Sequence, residues 1–308
     1  MRLVVRTDAS ATIGVGHAMR SLAIAEAWIE LGGEVVFAMR EAPPAVRARI
    51  ERAGCRVVEP PVDAPYVVVD GYHIDDAEKT AIARSGARVL MIDDRGESAT
   101  HAATIILNPN AYASPAMYSR LAAKTLLVGR EYALLRREFR EGSKVGSSSR
   151  IMVSFGGADV ANLTPRAIEA LAPLDVDALV IAGPANPREL SAPREGIRIV
   201  SEVDDMAAQM RASGLAIVAA GSTCWELAAC GVPMIAVAVA ENQRDVLEAV
   251  VKLGIGVALR DDPSVADFRE AVERLDPETR AEMARRGPQI IDGRGALRVC
   301  EVLRGEQR

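Results

Sequence analysis

Arg6-Thr7-Asp8-Ala9-Ser10-Ala11-Thr12-Ile13-Gly14-Val15-Gly16-His17 joins an apolar run, Leu3-Val4-Val5, to a stretch where Ala18, Leu22, Ala25 and Ile29 recur at helical spacing. An unbroken apolar triplet reads as a buried parallel strand. The quoted stretch is therefore a strand-to-helix loop. In an open α/β sheet such loops lie at the carboxyl edge, where ligands bind and helix starts present free N–H groups. Gly14 and Gly16 keep side chains away from a ligand approaching the backbone. His17 falls in the first helical turn, where the dipole favours a neutral imidazole able to take a proton. A lone histidine is more often a packed or surface residue than a catalyst, and this setting raises its standing. The dinucleotide fingerprint G-x-G-x-x-G fails, because Met19 occupies the third glycine position.

With 308 residues the chain has room for two domains, each with its own core. No apolar run is long enough to span a bilayer, and Met1-Arg2-Leu3 opens no leader, so the expectation is a soluble cytoplasmic protein without membrane insertion. Lys and Arg number 37 against 42 Asp and Glu, a net charge of −5 that argues against a nucleic-acid partner. An anion must then be held by backbone amides and a few placed side chains. Cys55, Cys224, Cys230 and Cys300 form no C-x-x-C pair and, with three histidines, compose no zinc site; they read as reduced and structural. No metal and no cofactor is expected.

Further strands are expected at Glu34–Met39, Arg56–Glu59, Tyr66–Val69, Arg88–Ile92, Thr104–Leu107 and Thr125–Val128, with helices at Pro43–Ala53 and Asp75–Ser85. Two of the strands deliver acidic residues, Asp70 and Asp93-Asp94, to the edge that carries His17. A Gly/Ser-rich segment over 141–150 reads as a linker between a first domain, 1–140, and a second, 151–308. The second restarts with strands at Ile151–Phe155, Ala178–Ala182, Ile197–Val200, Leu215–Ala219 and Pro233–Val237. Helices are expected after Thr164, at Asp204–Arg211, Trp225–Cys230, Arg244–Leu253, Ser264–Leu275 and Gly295–Leu303. This alternation predicts an α/β protein with two Rossmann-like domains facing across a cleft.

Three turns in the second half suit a nucleotide. Gly156-Gly157 follows a strand and can offer amides to a phosphate. Ala220-Gly221-Ser222-Thr223 opens a helix whose Glu226 can accept from ribose hydroxyls. Glu241-Asn242-Gln243 ends another strand. Each alone is better explained as a cap or turn, and it is their joint appearance at successive strand ends that points to a nucleotide. Neither G-x-S-x-G nor G-x-x-x-x-G-K-[ST] occurs. His73 and His101 have no metal spacing and are assigned to loops.

In order along most of the chain, Arg6-x-Asp8, Ile13-Gly14-x-Gly16-His17-x-x-Arg20, Asp70-Gly71-Tyr72, Asp93-Asp94, Leu107-Asn108-Pro109-Asn110-Ala111-Tyr112, Gly156-Gly157-x-Asp159-x-x-Asn162-Leu163-Thr164, Glu226 and Asn242-Gln243 resemble the UDP-2,4-diacetamido-2,4,6-trideoxy-β-L-altropyranose hydrolases of pseudaminic acid biosynthesis, the PseG family. That family is similar to GT-B glycosyltransferases of the MurG type. The resemblance implies His17 as base, Tyr72 near the sugar, and UDP around Gly156, Gly157, Ser222, Thr223 and Glu226. It adds Asp8, Gly14, Gly16, Arg20, Asn110, Asp159, Asn162, Asn242 and Gln243 as candidate substrate contacts. Gly71 stands where a polar residue is expected. Beyond about Asp261 little aligns, although in GT-B folds a terminal helix often crosses back to the first domain. The implied reaction is hydrolysis at the anomeric C–O bond with inversion. Rival readings are a GT-B glycosyltransferase and a noncatalytic nucleotide-sugar binding subunit. The absence of a basic amphipathic surface helix for lipid acceptors favours the hydrolase over the transferase.

Overall fold

The computed structural model describes residues 1–10, 12–96, 103–119, 125–140, 148–157, 159–183 and 186–306. It divides into two units, Met1–Arg137 with Gly293–Arg308, and Glu138–Asp292. Both are built on parallel sheets, as runs apolar on every residue require, since such strands must be buried on both faces.

In the first unit the strands are β1 (Arg2–Arg6), β2 (Glu34–Ala38), β3 (Arg56–Val58), β4 (Tyr66–Val69), β5 (Arg88–Ile92), β6 (Ile105–Asn108) and β7 (Thr125–Val128). They form a seven-stranded sheet in the order β3-β2-β1-β4-β5-β6-β7. β1 pairs in parallel with β2 on one side and β4 on the other, Leu3 facing both Val35 and Tyr66. Alternation sends Leu3 and Val5 into one core, under α1 (Gly16–Glu30) and α2 (Pro44–Arg52), and Val4 into a second, against α3 (Asp76–Arg84). The order reverses direction at β1 and β4. That switch point opens a crevice beyond the strands' carboxyl ends.

The second unit holds β8 (Ile151–Ser154), β9 (Ala178–Ile181), β10 (Ile197–Val200), β11 (Leu215–Ala219), β12 (Met234–Val237) and β13 (Gly256–Ala258). Their order is β10-β9-β8-β11-β12-β13, with the switch point at β8 and β11. Its helices are α4 (Thr164–Leu171), α5 (Met206–Arg211), α6 (Thr223–Ala229), α7 (Arg244–Lys252), α8 (Val265–Arg274) and α9 (Pro277–Ile290). Every strand expected from the sequence is present, while β13 and α9 are additional. Helix α9 is largely polar, carries Pro288 within it and buries only Ala284 and Gly287, so apolar periodicity does not reveal it. Asp276 starts it by accepting from the Glu278 and Thr279 amides, both at 2.9 Å.

The expected domain limits need correction. Helix α10 (Gly295–Arg304) belongs with the first unit and not with 151–308, because its apolar stripe of Ala296, Val299, Cys300 and Leu303 completes the core under α1. Cys300 Sγ donates to Ile24 O (3.5 Å), and Arg304 Nη1 to Leu31 O (2.8 Å). The second unit starts at Glu138, and residues 141–147 of the expected linker lie outside the described residues. All four cysteines are buried and outside any disulfide. Among the described residues no helix is long and apolar enough to cross a membrane.

Leu303→Ala should destabilise the first unit by about 2–5 kcal/mol through the cavity it leaves. In a Trp225→Phe background, urea unfolding followed by Trp28 fluorescence should report that loss, whereas an α10 packed on the second unit would leave the Trp28 transition unmoved.

Candidate active site

Two aspartates at the carboxyl edge of the first sheet have different duties. Asp8, 3 % exposed, accepts backbone N–H groups from Arg40 (2.5 Å) and Glu41 (3.1 Å), and pairs with Arg6 Nη1 (2.6 Å) and His73 Nε2 (2.9 Å). Burial alone would raise its pKa, but Arg6 and these amides hold it below the usual value. Asp8 therefore braces the loop after β1 against the one after β2, and its expected part in substrate contact has no lone pair left to serve it.

Asp70 follows β4 and is fully buried. It accepts from Arg20 Nε (2.7 Å) and Nη2 (2.6 Å), from Ser21 Oγ (3.1 Å) and from His17 Nδ1 (2.7 Å). His17, Arg20 and Ser21 sit at i, i+3 and i+4 of α1 and so share one helix face. Burial pushes the Asp70 carboxyl up, and the charge and hydrogen bonds of Arg20 with that of His17 overcome it and hold the group at about 2. An ionised carboxylate only accepts. Arg20 Nη2 also lies 3.3 Å from His17 Nδ1. The closer carboxylate decides the tautomer, since a bare Nδ1 would set lone pair against lone pair at 2.7 Å. In the neutral ring Nδ1 thus carries the hydrogen and Nε2 is the acceptor.

Arg20 Nη1 reaches on to Asp94 Oδ2 (2.6 Å), two residues beyond β5. Tyr72 donates its phenol to the same oxygen (2.5 Å), and Asn110 Nδ2 donates to Oδ1 (3.0 Å). The Tyr72 ring stands edge-on to His17, centroids 4.9 Å apart at 84°, with the Arg95 guanidinium 4.6 Å over it. Burial and the Asp94 charge raise the Tyr72 pKa well above the ordinary phenol, so it acts as a donor. Tyr72 is still 46 % exposed. A cavity of about 230 Å³ lies beside it, lined by Gly71, Asp76, Lys79, Asp93 and Arg95 over an apolar floor. One network thus unites His17, Arg20, Tyr72 and Asn110 through Asp70 and Asp94. Gly14, at φ +81°, donates to Ser10 O (2.8 Å), and a side chain on either Gly14 or Gly16 would meet nothing within 4 Å.

In the second unit Gly156 (φ +86°), Gly157 and Gly221 also lie under open space. Gly183, after β9, explains part of this. A Cβ there would collide with the carbonyl oxygens of Gly156 and Gly157, so glycine lets the two turns meet. Asp159 is buried and accepts from the Leu163 and Thr164 amides, both at 2.9 Å, one on each oxygen, which ties it to the start of α4. Asn162, at φ +54°, completes the same turn and is exposed. Ser222 is exposed before α6 and makes no cap bond; Thr223 and Glu226 follow in the helix, half-buried. Gln243 Oε1 accepts from Val239 N (2.9 Å) and holds its own turn, while Asn242 is exposed. His73 lies in a loop as expected, and His101 falls outside the described residues. No group of three metal-ligating side chains occurs among the described residues.

Sheet orders, switch points and chain course define the class: an α/β protein of two Rossmann-like units with the GT-B glycosyltransferase fold, whose residues 151–289 match the glycosyltransferase family 28 C-terminal domain. Its fold matches MurG of Acinetobacter baumannii with a TM-score of 0.67 at 15% identity, over 99% of each chain. In sequence it is similar to the UDP-2,4-diacetamido-2,4,6-trideoxy-beta-L-altropyranose hydrolase of Campylobacter jejuni, 26% identical over 83% of this chain and 98% of that protein. It is also similar to an uncharacterised protein of Methanocaldococcus jannaschii, 25% identical over 82% of this chain; the match spans 58% of that longer relative.

Arg20→Gln should cost about 3–5 kcal/mol at pH 7, because Asp70 keeps a buried charge without its cation. Asp70 at about 2 contributes stability in full above the unfolded carboxyl's value of about 4 and loses it only below that. In the variant the carboxyl is raised instead, so protonation relieves it. Chemical denaturation from pH 7 to pH 4.5 should therefore show the gap between the two proteins narrowing; a constant gap would sever Arg20 from Asp70's ionisation.

Proposed function

We propose that this chain hydrolyses a UDP-linked 2,4-diacetamido-2,4,6-trideoxyhexose at the anomeric C–O bond, releasing free sugar and UDP. The observation that carries the reading is His17, held by ionised Asp70 with Nε2 making no hydrogen bond among the described residues. Water attacks the anomeric carbon on the face opposite the diphosphate and passes its proton to Nε2. The electron pair of the breaking C–O bond leaves on UDP, and configuration inverts. The imidazolium so formed is stabilised by Asp70, which stays a carboxylate. A nucleoside diphosphate departs without protonation, so the paired carboxylates of ordinary glycosidases are not needed. Tyr72, Asn110 and Arg20 line the sugar side. The turns at Gly156-Gly157 and at Ser222-Thr223, with Glu226 and Asn242, hold the nucleotide, their amides answering the charge that develops on the leaving group. Similarity to the Campylobacter hydrolase over nearly that protein's whole length supports the substrate.

The match to a glycosyltransferase family 28 domain favours one other reading, transfer of the sugar to an acceptor hydroxyl in place of water. Incubation of the protein with the UDP-sugar alone separates them: free sugar accumulates in hydrolysis, and an obligate transferase stays inert. In heavy-oxygen water the label should enter the sugar and not the UDP.

His17→Asn should lower kcat by about 10²–10⁴-fold while UDP affinity is retained. Wild-type turnover in that variant removes the imidazole from the reaction. Gly183→Ala should weaken UDP binding by about tenfold through displacement of the Gly156-Gly157 turn, with Tyr72 and His17 unperturbed. Calorimetry with UDP measures it, and unchanged affinity would detach that turn from the nucleotide.

A further inference from the structure

Helix α3 stands off the sheet at its start. Asp75 caps it by accepting from the Glu78 amide (2.7 Å), and none of its nine residues is fully buried. Ile82 and Ala83 pack it onto the core that holds Val4, Val69 and Met91. Asp76 and Lys79 precede those two residues at helical spacing and so share the face turned to the sheet. Where Ile82 meets apolar side chains, Lys79 instead lines the cavity of about 230 Å³ beside Tyr72. Val69 and Met91, paired in register on β4 and β5, floor that cavity.

A lysine on the sheet side of a helix is costly unless something receives its ammonium. The Lys79 side chain is 17 % exposed, and Nζ makes no hydrogen bond among the described residues; its ion pair, with Asp76 Oδ1, is stretched to 4.0 Å. Four charged residues line the cavity, Lys79 and Arg95 against Asp76 and Asp93. The Arg95 guanidinium lies over the Tyr72 ring, and Asp93 Oδ1 accepts from the Arg95 and Gly96 amides, both at 3.0 Å. With two charges of each sign, no net charge calls for an ion. The guest that fits is neutral, with an acceptor for Nζ at one end and an apolar end for Val69 and Met91. The space exceeds the roughly 150 Å³ that holds a benzene ring and is ample for an acetamido group.

We propose that this cavity receives one acetamido arm of the sugar and that Lys79 reads it. The carbonyl oxygen accepts from Nζ, and the methyl group lies on Val69 and Met91. Tyr72 connects the cavity to the chemistry, since it lines the cavity and its ring also stands edge-on to His17. A free amine in the same place is a cation facing the Lys79 ammonium, and a hydroxyl leaves the apolar floor uncovered. Lys79 touches no reacting atom and acts on specificity. The assignment rests on the hydrolysis proposed above and adds which nitrogen substituent the site demands.

The test sets the UDP-linked 2,4-diacetamido-2,4,6-trideoxyhexose against its 2,4-diamino counterpart. The wild-type chain should favour the acetylated sugar by about 10²-fold or more in kcat/KM. Lys79→Met should lower kcat/KM for the acetylated sugar about tenfold, without lowering that for the diamine and without changing UDP affinity. Lys79→Arg, which keeps a donor, should retain most of the preference. Saturation-transfer NMR with the two free sugars reads the same contact without turnover: one acetyl methyl should be saturated above the other, and Lys79→Met should erase that difference. An unchanged substrate ratio in Lys79→Met, or an equal loss on both substrates, overturns the subsite and leaves hydrolysis standing. A chain inert toward the UDP-sugar that still shows the Lys79-dependent methyl signal overturns hydrolysis and keeps the subsite, and an inert chain without that signal overturns both.

Discussion

Asp70 holds its charge where solvent does not reach, and the first unit's chemical edge is arranged around answering that charge. A bare carboxylate there would protonate or force the strand end open. Arg20 prevents both with two parallel N–H contacts, and its remaining nitrogen reaches Asp94. Lysine offers one point charge on a flexible stem and could not span both carboxylates in that plane. Because Arg20 and His17 ride the same helix, the interaction that keeps Asp70 ionised also aligns the imidazole and sets which ring nitrogen is bare.

The two units meet their electrostatic tasks differently. At the first, side chains of both signs converge: Arg20 from α1, with Asp70, Asp94 and Arg95 from just beyond strand ends. At the second, Gly156, Gly157 and Gly221 leave backbone exposed below open space, and side chains such as Asp159 and Gln243 are occupied in holding those turns. In the proposed reaction these amide dipoles would attract the diphosphate without added lysines, in keeping with a chain whose net charge is −5.

Strands were legible because a run like Leu3-Val4-Val5 has few ways to be buried, and His17 because a strand-to-helix turn places it at an edge where ligands bind. Pairing was not. Asp8 and Asp70 look alike in the sequence, each closing an apolar strand, and only the register of β1 between β2 and β4 shows that one braces loops while the other orients an imidazole. The contact from Arg20 to Asp70 crosses fifty positions, beyond any local pattern. An amphipathic stripe likewise reveals which face of α10 is buried but not which core receives it. Gly183 gave no signal at all, since its need for glycine comes from two carbonyls in a separate turn.

In the hydrolysis proposed above, the choice of base rests on how the network's lone pairs are used. Arg20 has none to offer. Asp70 receives four hydrogen bonds and sits at about 2, too weak a base for water at neutral pH. Asp94 takes Arg20 and Tyr72 on one oxygen and Asn110 on the other. Tyr72 is held as a phenol by that same carboxylate, so it positions and donates. Nε2 of His17 makes no hydrogen bond among the described residues, and the proposed reaction gives it the water's proton. Each neighbour that could compete with it is instead occupied in fixing the imidazole's place, its tautomer or the ring beside it.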